Sequence, residues 1–356
     1  MKNFALVGLF VLVSVSALSQ KTENVVLITL DGMRWQEIFG GAESRLISKD
    51  FGDSAAIARD FWAENSQMRR EKLMPFFWKV IAKQGQLYGN RNLSSFANVT
   101  NKQWFSYPGY SELLCGFADD ERIHSNDKFE NPNRNVLEFI ISQPGFSGKV
   151  AAYSSWDVFP YIINTQRSKV PVNSGIIPAK GTLTEKEKML NELMYEVPNP
   201  LGDVRLDAFT FHYAFEYMKS RRPRVMLISF DETDDFAHGG KYDLYLQAAH
   251  YTDRFINTLW DWCQSNDQYR NKTTFIITCD HGRGDTGKED WKHHGIKMPN
   301  ADQIWVAVIG PDTQPTGEQK NNQIYQNQIA RTIGNLLKLD YNPQNAGLPI
   351  SGIVKP

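Results

Sequence analysis

Four short patches of acidic residues and histidines are the part of this sequence best suited to chemistry. They supply three carboxylates and three imidazoles, from Asp31 in LITLDG, Asp234 and His238 in DDFAH, Asp280 and His281 in TCDHG, and His294 in KHHG. Only a folded domain can bring residues so far apart together. Oxygen and nitrogen donors of these types suit divalent metal ions, and the six together are enough for two ions.

A hydroxyl segment, FSYPGYSELLCG, lies between the first patch and the second. Pro108 suits the first turn of a helix, so Ser106 is expected just before or at a helix start. The amides and dipole there favour a phosphoryl group, and a hydroxyl beside two metals favours a nucleophile. Thr100 and Ser111 are competing hydroxyls. The residues thus predict a two-metal hydrolase that acts by phosphoryl transfer.

The middle patches have spacings that favour chelation. Asp234 and His238 are four residues apart, so on a helical turn both side chains point the same way. Asp280 and His281 are adjacent and precede Gly282, which permits a sharp turn. Three further acids on the second patch are alternative ligands: Asp231, Glu232 and Asp235.

The last patch has two adjacent histidines, His293 and His294, followed by a glycine. We expect one to be a ligand and the other to face solvent. Lys292 beside them adds positive charge next to a bound anion. Cys279, which precedes the third patch, is expected to be buried at a strand end rather than to bind metal.

Apolar runs and helical periodicity predict the elements that position these patches. Runs rich in β-branched residues predict strands at 24–30, 224–230, 273–278 and 304–309, with a weaker one at 149–153. Helical periodicity is clearest at 208–219, 242–263 and 325–337. Buried strands separated by amphipathic helices predict an α/β fold with a mostly parallel central sheet and helices on both faces. Asp31, Asp234 and Asp280 each follow a different strand, where such sheets bind ligands.

Composition and charge limit the classes of partner. The 356 residues are 41% hydrophobic and 22% charged, as in ordinary globular proteins. A formal net charge of -1 provides no broad cationic surface, so binding to a nucleic-acid polymer is not expected. A small phosphorylated substrate remains compatible because bound metals supply positive charge.

The N-terminus predicts export. Residues 1–19 combine a basic Lys2, an apolar stretch and small residues, as in a signal peptide. A membrane anchor is the alternative, although the apolar run is short for one. No later stretch is apolar enough to cross a membrane, so we expect a periplasmic or secreted protein. Residues 20–356 are predicted to form one catalytic domain. It carries an insertion around 158–200, which is either a lid or specificity loop or an ordinary surface excursion.

Taken in order, these motifs resemble the alkaline phosphatase superfamily, and most closely its type I phosphodiesterase/nucleotide pyrophosphatase branch. The order is a strand-ending Asp, a hydroxyl before a helix, Asp-x-x-x-His, Asp-His-Gly and His-Gly, over about residues 25–311. The resemblance implies one zinc held by Asp234, His238 and His294, and another held by Asp31, Asp280, His281 and the Ser106 oxygen. It also implies in-line attack by Ser106, a covalent phosphoserine, and hydrolysis by a metal-activated water.

The chain departs from the family pattern next to the nucleophile. Where the branch usually shows Thr-Phe-Pro-Asn-His, this sequence has Ser106-Tyr107-Pro108-Gly109-Tyr110. Gly109 lacks the side-chain donor expected to hold a phosphoryl oxygen. Tyr107 and its aromatic neighbours either stack on a substrate ring or pack the helix start. The cations that are candidates for a phosphate contact are Lys102, Arg283 and Lys292.

These observations predict an exported hydrolase of phosphate esters that prefers diesters or nucleotides over monoesters. The predicted cofactors are two Zn²⁺ ions, with Mn²⁺ as the alternative metal. Alternatives within the superfamily are a phosphomonoesterase and a phosphonate hydrolase. An alternative from another class is a catalytically silent protein that binds metal or phosphate. The sulfatase branch is disfavoured because Cys115 lacks the Cys-x-Pro-x-Arg context. No protein partner can be inferred.

Overall fold

A computed structural model of the chain describes residues 20–354. The predicted signal peptide, residues 1–19, lies outside the described residues. Within residues 20–354, no helix has both the length and the apolar composition that crossing a membrane requires.

The centre of the fold is an eight-stranded sheet. With strands numbered in chain order, the sheet runs from one edge to the other as β5 (Val172–Ser174), β4 (Val150–Ser154), β6 (Val225–Phe230), β1 (Asn24–Leu30), β7 (Thr273–Thr278), β8 (Val306–Ile309), β2 (Gln86–Tyr88) and β9 (Gly317–Glu318). The strands from β5 to β7 are parallel, whereas β8 is antiparallel to both of its neighbours. A separate parallel pair joins β3 (Ser95–Asn98) to β10 (Asn322–Tyr325).

The central strands are buried on both faces. Every residue of β1, β6 and β7 is buried, which explains why their sequences are continuously apolar rather than alternating. The predicted α/β class with a mostly parallel sheet is confirmed. The strand expected at 304–309 begins later, as β8, and runs antiparallel. The segment between β7 and β8 contains one short 3-10 helix, Asp290–Lys292, and therefore provides no crossover helix to keep the direction parallel.

Helices pack around this sheet. Within the described residues the α-helices are α1 (Trp35–Gly40), α2 (Ser54–Asp60), α3 (Ser66–Leu73), α4 (Ala82–Gln84), α5 (Ser106–Cys115), α6 (Val136–Ile141), α7 (Phe159–Ile162), α8 (Thr165–Ser168), α9 (Glu185–Glu196), α10 (Asp207–Arg221), α11 (Glu232–His238), α12 (Tyr242–Ser265) and α13 (Ile329–Leu336). The helices predicted at 208–219 and 242–263 are confirmed as α10 and α12. The helix predicted at 325–337 is shorter, because Tyr325 ends β10 and a 3-10 turn precedes α13.

The segment 158–200 is regular rather than irregular. It contains α7, α8, β5 and α9, and β5 extends the main sheet by pairing with β4. A capping box formed by Thr184 and Glu187 starts α9. The segment therefore builds one edge of the sheet, and its role as a lid remains a prediction.

Candidate metal centre and nucleophile

The three predicted acids meet at one edge of the sheet. Asp31 directly follows β1, Asp280 lies just beyond β7, and Asp234 is in the first turn of α11 after β6. The strands β6, β1 and β7 are adjacent and parallel, so their carboxyl ends lie side by side. This is where open α/β sheets place their ligands.

The first cluster consists of Asp31, Asp280 and His281, all fully or almost fully buried. The Nε2 atom of His281 lies 3.3 Å from Oδ1 of Asp31 and 3.4 Å from Oδ2 of Asp280. These donor atoms lie within 4.8 Å of one another, close enough to share one metal ion.

Two buried carboxylate oxygens of this cluster face the gap between its members. Oδ1 of Asp31 and Oδ2 of Asp280 have no hydrogen-bond donor among residues 20–354. The other oxygen of each is taken: Tyr110 donates to Asp31 Oδ2 at 2.9 Å, and the Gly32 amide donates to Asp280 Oδ1 at 3.1 Å. Unpaired buried carboxylate oxygens are costly, so this donor set fits a bound cation.

The second cluster contains Asp234, His238 and His294. His238 Nε2 lies 3.1 Å from Asp234 Oδ2 and 2.9 Å from His294 Nε2, and His294 Nε2 lies 3.7 Å from Asp234 Oδ1. The other ring nitrogen of His294 is 3.3 Å from the Trp104 carbonyl, which fixes the orientation of the ring. Asp234, His281 and His294 also form a set within 4.8 Å, so His281 lies between the two clusters.

Around α11 and in the last patch, the predicted metal ligands lie at the site, and the neighbouring acids and histidine do not. Of the four acids around α11, Asp234 is the one that lies in a potential metal set. The backbone amides of Asp231 and Glu232 instead bond to the Asp207 carboxylate. His293 is exposed, whereas His294 faces the site.

Burial and mutual charge shift the acidities of the cluster. Burial raises the pKa of Asp31, and burial together with the charge of Asp31 raises the pKa of Asp280 well above its usual value. Burial alone would lower the pKa of His281, but Asp280 and Asp31 raise it to about 9. Burial opposes ionisation of Asp234 as well, yet the Arg283 guanidinium and His294 hold its pKa well below normal. The site concentrates negative charge that a cation would relieve.

Of the three candidate nucleophilic hydroxyls, Ser106 is the one that lies beside these clusters. It is the first residue of α5, is 6% exposed, and its Oγ lies 3.4 Å from His281 Nε2. The competing hydroxyls are engaged elsewhere: Thr100 donates to Glu112, and Ser111 accepts from Asn131. The Tyr107 amide at the helix start donates to Asn126 Oδ1 at 2.9 Å, which places a carboxamide beside Ser106.

The four residues predicted to touch substrate are placed differently from one another. The Tyr107 ring is fully buried and stacks on Phe129, with ring centroids 4.7 Å apart. Gly109 lies against the backbone of Asp280. Lys102 is exposed, and Lys292 pairs with Glu289. Substrate contact by any of the four remains a prediction.

Two important site residues, Gly32 and Arg283, were not part of the predicted set of ligands. Gly32 has a left-handed φ of 55°, and a Cβ there would lie 2.6 Å from both Arg283 Nη1 and Asp234 Oδ1. Arg283 is buried, pairs with Asp234, and donates to the carbonyls of Trp291 and Lys292. Gly32 could have been found from the sequence, because a glycine directly after Asp31 indicates close packing that no side chain would permit.

The sheet, with its cluster of carboxylates and imidazoles at the carboxyl edge, has an alkaline phosphatase-like fold. Residues 56–336 match the family described as Type I phosphodiesterase / nucleotide pyrophosphatase. The chain belongs to this family. Among curated proteins, none matches the sequence.

Solved structures share the fold at low sequence identity. Murine ectonucleotide pyrophosphatase / phosphodiesterase 5 is 13% identical with a TM-score of 0.55, over 91% of this chain and 97% of that chain. A protein of the alkaline phosphatase superfamily from Vibrio parahaemolyticus is 14% identical with a TM-score of 0.52, over 94% and 70% of the two chains. Phosphonate monoester hydrolase from Silicibacter pomeroyi is 10% identical with a TM-score of 0.56, over 92% and 76%.

Proposed function

We propose that this protein hydrolyses phosphate esters through a covalent phosphoserine on Ser106, with two divalent metal ions bound beside it. The observation that carries the proposal is the position of Ser106 Oγ, 3.4 Å from the imidazole that lies between the two clusters. The proposed ligands are Asp31, Asp280, His281 and Ser106 for one ion, and Asp234, His238 and His294 for the other. Imidazole and carboxylate donors favour zinc, with manganese as the alternative.

The residues of the chain divide the reaction between them. Ser106 Oγ loses its proton and bonds to phosphorus while the bond to the leaving oxygen breaks and the leaving group departs as an alcohol. Water then cleaves the bond between Ser106 Oγ and phosphorus, which restores the serine hydroxyl and releases a phosphate monoester from a diester substrate. The start of α5 places the positive end of the helix dipole beside Ser106, where it favours a negatively charged phosphoryl group. Bound divalent ions would lower the pKa of the Ser106 hydroxyl and neutralise charge on the phosphoryl oxygens.

The engagement of Arg283 and Lys292, two of the three candidate cations, favours a diester over a monoester. Arg283 directs its guanidinium to Asp234 and to two carbonyls, and Lys292 pairs with Glu289. Because both side chains are engaged in these contacts, neither is free to neutralise the second negative charge of a monoester. A diester carries a single charge, and we therefore propose diesters or nucleotides as the preferred class. We also propose export, on the basis of residues 1–19.

The test is a comparison of the purified protein on an aryl phosphate, a bis-aryl phosphate and an aryl phosphonate ester. Each assay is run after chelation and again after addition of zinc or manganese. We expect turnover to depend on added metal and to be highest for the diester. A preference for the monoester or the phosphonate would overturn the substrate class, and turnover that survives complete chelation would overturn the metal dependence.

The variant Ser106→Ala separates a hydrolase from a silent binding protein. We expect turnover to fall by at least about 10³-fold, because removal of a nucleophile abolishes the covalent route. Ser111→Ala is the matched control, since Ser111 is a buried serine on the same helix that bonds to Asn131. A protein that only binds phosphate would show no turnover in either form and unchanged phosphate affinity in Ser106→Ala.

A further inference from the structure

Tyr110 is one helical turn after Ser106 on α5, and its hydroxyl contacts Asp31 rather than solvent. The side chain is fully buried, and its hydroxyl lies 2.9 Å from Asp31 Oδ2. Residues four apart share a helix face, so the same face of α5 carries Ser106 and Tyr110. The nucleophile and one predicted metal ligand are thereby linked through a single helix.

The tyrosine ends a chain of hydroxyl groups on the sheet. Thr29 and Ser229 are paired across β1 and β6, and the Thr29 hydroxyl donates to Ser229 Oγ at 2.9 Å. Ser229 in turn donates to the Tyr110 hydroxyl at 3.0 Å. An ionised carboxylate offers only acceptors, so the proton of Tyr110 must point at Asp31. All four side chains are buried, and the chain therefore has one direction, from Thr29 to Asp31.

This arrangement leaves Asp31 with two unlike oxygens. Oδ2 is occupied by Tyr110, whereas Oδ1 has no donor among the described residues and lies 3.3 Å from His281 Nε2. Asp31 is thus presented to the cluster through one oxygen atom only.

We propose that Tyr110 is a positioning residue that makes Asp31 a single-oxygen ligand for the metal ion shared with Asp280 and His281. The inference rests on the proposed two-metal function and goes beyond it. A carboxylate held to one oxygen favours the small, tetrahedral coordination of zinc. A carboxylate free to turn accepts two-oxygen binding and larger ions.

The test is Tyr110→Phe, which removes one hydroxyl and keeps the ring that packs against Phe159. Zinc affinity is measured by competition with a coloured chelator, and manganese affinity in the same way. We expect about 10- to 100-fold weaker zinc binding at one of two sites, the usual effect of removing a partner of a metal ligand. The ratio of zinc affinity to manganese affinity is expected to be smaller in Tyr110→Phe than in the wild type. The visible absorption of the cobalt-substituted protein is expected to weaken as the coordination number rises.

Ser229→Ala is the matched control, because it removes the hydroxyl that donates to Tyr110 and leaves the Tyr110–Asp31 contact in place. We expect it to retain wild-type zinc affinity within a few fold. Equal losses in both variants, or unchanged affinity in Tyr110→Phe, would overturn the positioning role. If the wild-type protein binds two zinc ions and hydrolyses diesters in those cases, the proposed function stands. Fewer than two zinc ions in the wild type would overturn both proposals.

Discussion

At the scale of single residues, the absence of a side chain at position 109 has a structural cause. A Cβ on Gly109 would lie 2.5 Å from the carbonyl oxygen of Asp280, much closer than real Cβ contacts allow. The helix that carries Ser106 therefore approaches the Asp280 backbone more closely than any other residue would permit. Gly109 thus brings the helix that carries Ser106 against Asp280, a predicted metal ligand.

We expect Gly109→Ala to destabilise the protein by about 1–3 kcal/mol, the usual cost of forcing an extra carbon into a packed region. Gly40→Ala is the control, since Gly40 ends α1 and a Cβ there meets nothing within 4 Å. That change is expected to be neutral or to stabilise by up to about 1 kcal/mol. Chemical unfolding of both variants gives the comparison. Equal stability of Gly109→Ala and the wild type would show that α5 can retreat from Asp280.

At the scale of elements, the loop before α5 is held by a buried carboxylate on the same helix. Glu112 Oε1 accepts from the amide and hydroxyl of Thr100, at 2.8 and 2.9 Å, and Oε2 accepts from the amide and side chain of Asn101, at 2.7 and 2.8 Å. Asn101 Oδ1 in turn accepts from the Trp104 amide. Trp104 has a left-handed φ of 54°, which is uncommon for a bulky residue, and its carbonyl faces His294.

Glu112→Gln is therefore expected to disturb the loop that contacts His294. One carboxylate oxygen becomes an NH₂ group facing hydrogen-bond donors, so we expect a loss of about 1–3 kcal/mol in unfolding free energy. Turnover should fall as well, because the Trp104 carbonyl no longer fixes His294. Glu121→Gln, at an exposed acid, is expected to change neither property. Urea unfolding measures the change in stability, and a diester assay measures the change in turnover. A Glu112→Gln variant with wild-type stability and activity would refute the role given to this loop.

At the scale of the whole molecule, the long buried strands could be predicted from the sequence, whereas very short strands and contacts between distant elements could not. Long apolar runs revealed β1, β6 and β7, and hence the edge where Asp31 and Asp280 meet. Strands of two or three residues, such as β9 and β2, are too short to show periodicity. The contacts of Tyr110 with Asp31 depend on how α5 lies across the sheet, and no spacing in the sequence encodes that.

The clustering of buried carboxylates at one edge also sets how stability responds to pH. A group whose pKa is higher in the folded than in the unfolded chain stabilises the fold at low pH, and that contribution is lost as pH rises. For Asp31 and Asp280 the loss begins as pH rises above their ordinary value of 3.8. For His281 it continues until pH passes about 9. The low pKa of Asp234 acts in the opposite direction at more acidic pH. Burial and the charge of His281 hold the pKa of His294 well below its ordinary value of 6.5, which opposes the loss until pH passes that value.

We therefore expect the chelated protein to lose thermal stability between about pH 6.5 and pH 9. Bound zinc would relieve the repulsion among these carboxylates and displace the proton of His281, so we expect its stabilising effect to grow over the same range. Zinc at about 100 times its dissociation constant would add about 2.7 kcal/mol. Thermal unfolding with and without chelator, at several pH values, measures both trends. Asp280→Asn, which removes one buried charge, should flatten the pH dependence of the chelated protein and reduce the effect of zinc. A zinc effect that is independent of pH would mean that the raised pKa values of this cluster do not govern metal binding.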